Sequence, residues 1–132
     1  VMTMMDTAIK WGLNIEIIDD FRERKVSDGV WVEDFERYCR QQWADFDYAL
    51  ESGESLRQVQ QRAVSALADV LLRSDGQKAA VGCHGTMLCL LINYYRPEFT
   101  FNDFWATVNK TPWIVHMTFN DGQLTDMEYI DI

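Results

Sequence analysis

The sequence holds only three cysteines, two histidines and two prolines. Cys39, Cys83 and Cys89 are odd in number and show no C-x-x-C spacing. Neither a disulfide framework nor a cysteine zinc site follows, and a reducing, cytoplasmic setting is expected. Long apolar runs are missing too: Met87–Ile92 is far too short to cross a bilayer. Val1–Met5 have neither the basic start nor the long apolar stretch of a signal peptide. Positive charge is scarce, with 12 basic against 21 acidic residues and a net charge of −9. That balance excludes nucleic acid and anionic membrane as partners, since both require a clustered basic face. It also means that a site for phosphate esters would have to gather its few cations locally.

Apolar mass is plentiful. The chain is 48% hydrophobic and 13% aromatic, which excludes disorder because enough surface can be buried to offset chain entropy. At 132 residues a compact domain hides roughly two thirds of its unfolded surface, so one core is expected, spanning 1–132 as a single domain. Thr7–Trp11 read as the tail of a helix closed by Gly12. Leu13, Ile15 and Ile17 alternate with polar residues, which predicts a short half-buried strand. A charged connection, 19–29, follows. From Val32 to Leu50 the pattern is helical, with Phe35, Tyr38, Cys39, Gln42, Trp43 and Phe46 on one face.

Ser55 and Gln58 form a capping box ahead of a helix running to about Arg73, striped by Val59, Ala63, Ala66, Leu67, Val70 and Leu71. Ala79–Cys83 is an apolar run before the His84-Gly85-Thr86 turn, the apolar stretch from Met87 to Tyr95 reads as a buried helix, and Arg96–Lys110 reads as a loop. Strand, glycine turn and helix together indicate an α/β class. Trp113–Phe119 and Gln123–Ile130 flank Asn120-Asp121-Gly122, a strong hairpin signal.

Chemistry concentrates in Gly82-Cys83-His84-Gly85-Thr86. A histidine between a strand end and a helix start lies where α/β sheets place ligands. The helix start behind it offers free backbone N–H groups and a positive dipole end, an anion seat. His84 is therefore either a ligand-binding side chain or a packed histidine bonded to a loop carbonyl. Cys83 as a phosphatase nucleophile is disfavoured, because that signature needs an arginine downstream where Leu88 and Cys89 stand. Phe21-Arg22-Glu23-Arg24-Lys25 sets one carboxylate among three cations, which suits either a general acid with a tuned pKa or a solvated charged loop. Glu54 reads as an acidic residue favouring a helix start, and His116 as a structural strand residue on the face of Ile114 and Thr118.

In order along the chain, these pieces resemble the histidine phosphatase superfamily, the phosphoglycerate-mutase-like phosphatases. Asp6-Thr7-Ala8, Phe21-Arg22-Glu23-Arg24, Gly53-Glu54-Ser55-Leu56 with Arg62, Val81-Gly82-Cys83-His84-Gly85-Thr86 and Pro112-Trp113 carry the resemblance. It implies a three-layer α/β sandwich and phosphomonoester hydrolysis or phosphoryl transfer on a small phosphorylated substrate, with no metal or organic cofactor. Glu23 would be the catalytic proton donor, and His84 would steady the transferring phosphoryl group, with His84, Gly85 and Thr86 binding phosphate. The family's Arg-His-Gly nucleophile strand has no counterpart here: His84 and His116 are the only histidines, and neither follows an arginine. Thr3 stands where a second phosphate-gripping arginine is expected, and Val26-Ser27 replace an aromatic-glycine pair. The resemblance thus implies an incomplete domain without its amino-terminal strand, inactive as this chain alone. The alternative is a phosphate-binding or self-associating module, since an uncovered sheet edge favours homo-oligomers.

Overall fold

A computed structural model describes residues 2–130. It contains five helices and one two-stranded antiparallel sheet: α1 (Met2–Trp11), α2 (Phe35–Ala44), α3 (Leu56–Arg73), α4 (Gly85–Tyr95), α5 (Phe101–Thr107), β1 (Ile114–Asn120) and β2 (Gln123–Ile130). A single 3-10 turn, Asp19–Phe21, precedes the charged segment.

The central element is α4. Thr86, Met87, Cys89, Leu90, Leu91 and Ile92 are all buried, so the helix has apolar neighbours on nearly every side. Met87, Leu90 and Leu91 join a cluster with Phe21 and the α3 stripe of Leu56, Val59, Ala63, Ala66, Leu67 and Val70. Cys89 and Ile92 face a second cluster with Tyr38, Cys39, Phe99 and Phe104, covered by Val115, Met117 and Met127 of the hairpin. Each fully buried Leu, Ile or Met contributes about 1.5–3 kcal/mol. Gln60 fixes the α3–α4 register by donating to the Leu90 carbonyl at 2.9 Å and to Asn93 Oδ1 at 3.0 Å. Trp43 belongs to the edge of both clusters, stacked on Phe104 at 5.5 Å between centroids and edge-on to Phe46 at 5.6 Å. Its indole N–H is buried with no acceptor among the described residues.

Local signals produced what they predicted where the interactions are local. Ser55 and Gln58 form the reciprocal capping box, and α3 ends at Arg73. Gly12 follows α1 with φ +62°, and Asp121 and Gly122 (φ 47° and 75°) make the two-residue hairpin turn. Three expectations are corrected. The helix predicted over 32–50 spans only Phe35–Ala44, since Asp34 caps its start and Asp45 turns the chain at its end. The segment 96–110 carries α5, begun by Thr100 and Asp103 in a capping box. The predicted strands at 13–17 and 79–83 have no regular secondary structure and make no ladder among the described residues. A strand needs a neighbour to become one, and here Leu13, Ile17 and Val81 stay 62%, 75% and 38% exposed. The described helices and small sheet are compatible with an α/β histidine phosphatase fold. None of these helices is long and apolar enough to cross a membrane.

Gly53 is where the turn at 50–54 meets the charged segment backbone to backbone. A Cβ there would collide with the Val26 carbonyl and lie 3.2 Å from the Leu50 carbonyl. Main chain cannot swing aside as a side chain can. Gly53→Ala is therefore expected to destabilise the protein by about 2 kcal/mol or more, read as a lowered urea midpoint at unchanged m-value.

Candidate functional site

His84 is the N-cap of α4, in extended conformation, and its carbonyl accepts the first helical bond, from Leu88 at 2.9 Å. The N–H groups of the first turn have no intrahelical acceptor. His84 and Gly85 are exposed, whereas Thr86 is buried. The space around Gly85 is open: a Cβ there would meet nothing within 4 Å. The imidazole makes no hydrogen bond among the described residues, so the packed-histidine alternative is not what the structure contains. The helix start thus presents backbone donors and an exposed ring to solvent, backed by an apolar helix held on both sides.

Glu23 arrives from the loop between the 3-10 turn and α2. It is half-buried, and its Oε1 accepts the Arg24 N–H at 2.8 Å. Its charge acts on three thiols from three parts of the chain, Cys39, Cys83 and Cys89. Burial first, and then the Glu23 charge, push the Cys83 thiol up to about 11, with the His84 backbone N–H pulling weakly the other way. A thiol held so high is the opposite of an activated nucleophile, in agreement with the sequence argument against Cys83. Phe21, two residues before Glu23, shares a buried cluster with Met87 of α4, and Cys83 packs against that cluster, so the charged segment and the start of α4 meet the same core.

The three cations flanking Glu23 do not pair with it among the described residues. Arg22 Nη2 reaches Glu54 at 3.0 Å, and Lys25 Nζ reaches Asp28 at 2.6 Å. Arg24 turns inward, only 6% exposed. Its guanidinium donates to Gln42 Oε1 and to Cys39 Sγ, the latter at 3.1 Å, and lies over the rings of Phe35 and Tyr38 at 5.5 and 5.4 Å. Each cation instead binds elsewhere and ties the loop to its surroundings.

Glu54 and Arg62 are the residues sequence reasoning underrated. Arg62 donates Nε–H to Glu54 Oε1 at 3.0 Å and Nη2–H to Oε2 at 3.1 Å, with side chains only 11% and 17% exposed. The same guanidinium donates to the carbonyls of Asp20 (2.6 Å), Arg22 (3.0 Å) and Glu23 (3.4 Å). Glu54 also accepts the Lys25 N–H at 2.8 Å, while its own N–H donates to the Lys25 carbonyl at 2.7 Å. A signal was available: Arg62 lies three residues after Val59 and four before Ala66, a polar residue in the apolar stripe of α3.

His116 points outward from β1 beside Ile114 and Thr118, as alternation requires. A concavity of about 280 Å³ lined by Arg96, Phe99, Asp103 and Tyr129 lies at the other end of α4 from His84. No group of three or more His, Cys, Asp or Glu is arranged to hold a metal among the described residues.

A family model for the histidine phosphatase superfamily (branch 1) matches residues 1–130. The chain belongs to that superfamily. No curated protein and no solved structure matches it. Within this superfamily member, His84, Gly85 and Thr86 form the start of α4, Glu23 lies in the charged segment, and Glu54 and Arg62 bind that segment's backbone.

Burial pulls the Glu54 carboxyl up, but the Arg62 hydrogen bonds, the Lys25 N–H and the charges of Arg62 and Arg22 outweigh it and hold the group below the usual carboxylate range. A folded-state pKa below the unfolded value means that the pair stabilises fully above about pH 4.3. The contribution is lost as pH falls through the depressed value. Glu54→Gln should accordingly be less stable at pH 7 but lose less stability between pH 5 and pH 3 (about one unit either side of a free carboxylate). Urea titrations at both pH values compare it with the unmodified chain, and an equal acid loss in both would refute the assignment.

Proposed function

We propose that this chain carries the proton-donating and phosphate-holding parts of a phosphomonoester hydrolase or phosphoryl-transfer site. The observation that carries the reading, in a member of the histidine phosphatase superfamily, is the open helix start at His84 and Gly85, where Met87 of the same turn shares a cluster with Phe21 of the charged segment. In this reading the substrate's phosphoryl oxygens sit on the N–H groups of Gly85 and Thr86 and against the His84 imidazole. Donors aimed at developing negative charge stabilise the transition state, and Glu23 gives its proton to the departing alkoxide. The attacking group is not among these residues: with neither Arg-His-Gly nor an activated thiol, no covalent intermediate can form here. The three-layer sandwich of that superfamily is the fold proposed for the domain. The substrate is a small phosphorylated molecule, and the setting is cytoplasmic, where the three thiols stay free.

Two outcomes follow. Inorganic phosphate should shift the Gly85 and Thr86 amide resonances, and His84→Ala should weaken that binding about tenfold, the worth of one charge-assisted hydrogen bond. The chain alone should not hydrolyse para-nitrophenyl phosphate. Turnover above the buffer rate would refute the missing-nucleophile part of the proposal, and unmoved Gly85 and Thr86 signals would refute the phosphate seat.

A second reading, self-association, is favoured by the segments 13–17 and 79–83, which have the pattern of strands but no ladder among the described residues. They offer backbone donors, acceptors and exposed apolar side chains without a ladder. Such edges pair with a second copy. Light scattering at micromolar concentration is expected to give at least a dimer mass, and a monodisperse monomer refutes this reading.

A further inference from the structure

We infer that Glu54 and Arg62 are positioning residues that fix where the Glu23 carboxylate points. Their assignment to a reaction rests on the reading of Glu23 as the acid, but the geometry stands by itself. One guanidinium, held in plane by a bidentate carboxylate, gathers the carbonyls of Asp20, Arg22 and Glu23. Such a fork fixes orientation as well as distance. Glu54 closes the other side through paired backbone bonds with Lys25. Immediately after Glu23, the Arg24 side chain is sunk between α2 and its aromatic neighbours. Glu23 is thus tethered through its own carbonyl and between anchored neighbours, and its carboxylate is held by the Arg24 N–H at 2.8 Å. Arg62 and Glu54 fix the backbone on which that carboxylate is carried.

Cys83 serves as the reporter, because Glu23's negative charge disfavours its thiolate. The experiment measures the rate of Cys83 alkylation by iodoacetamide at mildly alkaline pH in the full 132-residue chain, resolved by peptide mass spectrometry from the buried Cys39 and Cys89. Glu23→Gln is expected to speed the reaction about threefold, because removing the negative charge raises the thiolate fraction. Glu54→Gln and Arg62→Met, each moving Glu23 away, are expected to give a similar acceleration and to add nothing in the Glu23→Gln background.

Equal acceleration by these variants with and without Glu23 would mean that they merely loosen the fold, and would overturn the inference. Unchanged rates in folded Glu54→Gln, or no acceleration in Glu23→Gln, would overturn it as well. Should Arg62→Met fail to fold, Glu54→Gln keeps a similar shape and decides the question. The thiol rate involves no phosphate, so a chain that fails to bind phosphate defeats the functional reading while leaving this result standing.

Discussion

The carboxylate of Glu54 against the guanidinium of Arg62 is the interaction on which the site side of the molecule rests. Two opposite charges largely withdrawn from water return little net stability as a pair, because desolvation offsets much of their attraction. Losing one partner is costly, since the other charge is then stranded. What the pair supplies is geometry. It joins the start of α3 to a loop with no regular secondary structure, and it satisfies backbone carbonyls that no helix or sheet would have satisfied. With Gly53 letting the turn at 50–54 approach Val26, the loop is seated main chain against main chain. Phe21 and Arg24 then face inward from it, one into each of the regions that enclose α4.

The charge balance of the whole chain takes on a different meaning beside this arrangement. A net charge of −9 suggests a poor host for phosphate. Of the cations in the charged segment and on α3, Arg22 and Arg62 converge on Glu54, Lys25 is matched by Asp28, and Arg24 lies over aromatic rings. On the proposed reading the positive end of α4 is the attractive element, and backbone dipoles of this kind act within the first turn whatever the sum over the surface. A local field made from oriented N–H groups needs no basic patch.

Sequence periodicity was a good guide wherever the deciding contacts lie within one turn or one element. The capping box at Ser55, the stripe of α3, the glycine after α1 and the Asp121-Gly122 turn all depend on neighbours a few residues away. The fold departs from the pattern where the partner is remote. Alternation at 13–17 describes a side-chain pattern, but ladder bonds come from another strand, and none is described beside it. The helix predicted to run through Leu50 is stopped ten residues in, and α5 depends on a capping box in a segment read as a loop. The site divided in the same way. The His84 turn was legible because glycines and a helix start are local marks. The role of Arg62 was not, because its acceptors lie about forty residues away and are backbone atoms that carry no residue code.

Trp43 shows how the two apolar clusters are kept in step. One indole lies against both, with Phe46 at its edge and Phe104 on its face. Its shape forces a compromise, for a ring oriented to fill two spaces leaves its single donor without an acceptor among the described residues. An unpaired buried donor costs about 1–3 kcal/mol, and a smaller apolar residue would avoid that cost but open a gap on one side. The ring therefore works as a mechanical coupling: neither cluster can expand without withdrawing support from the other, and α4, pressed between them, inherits its rigidity from both.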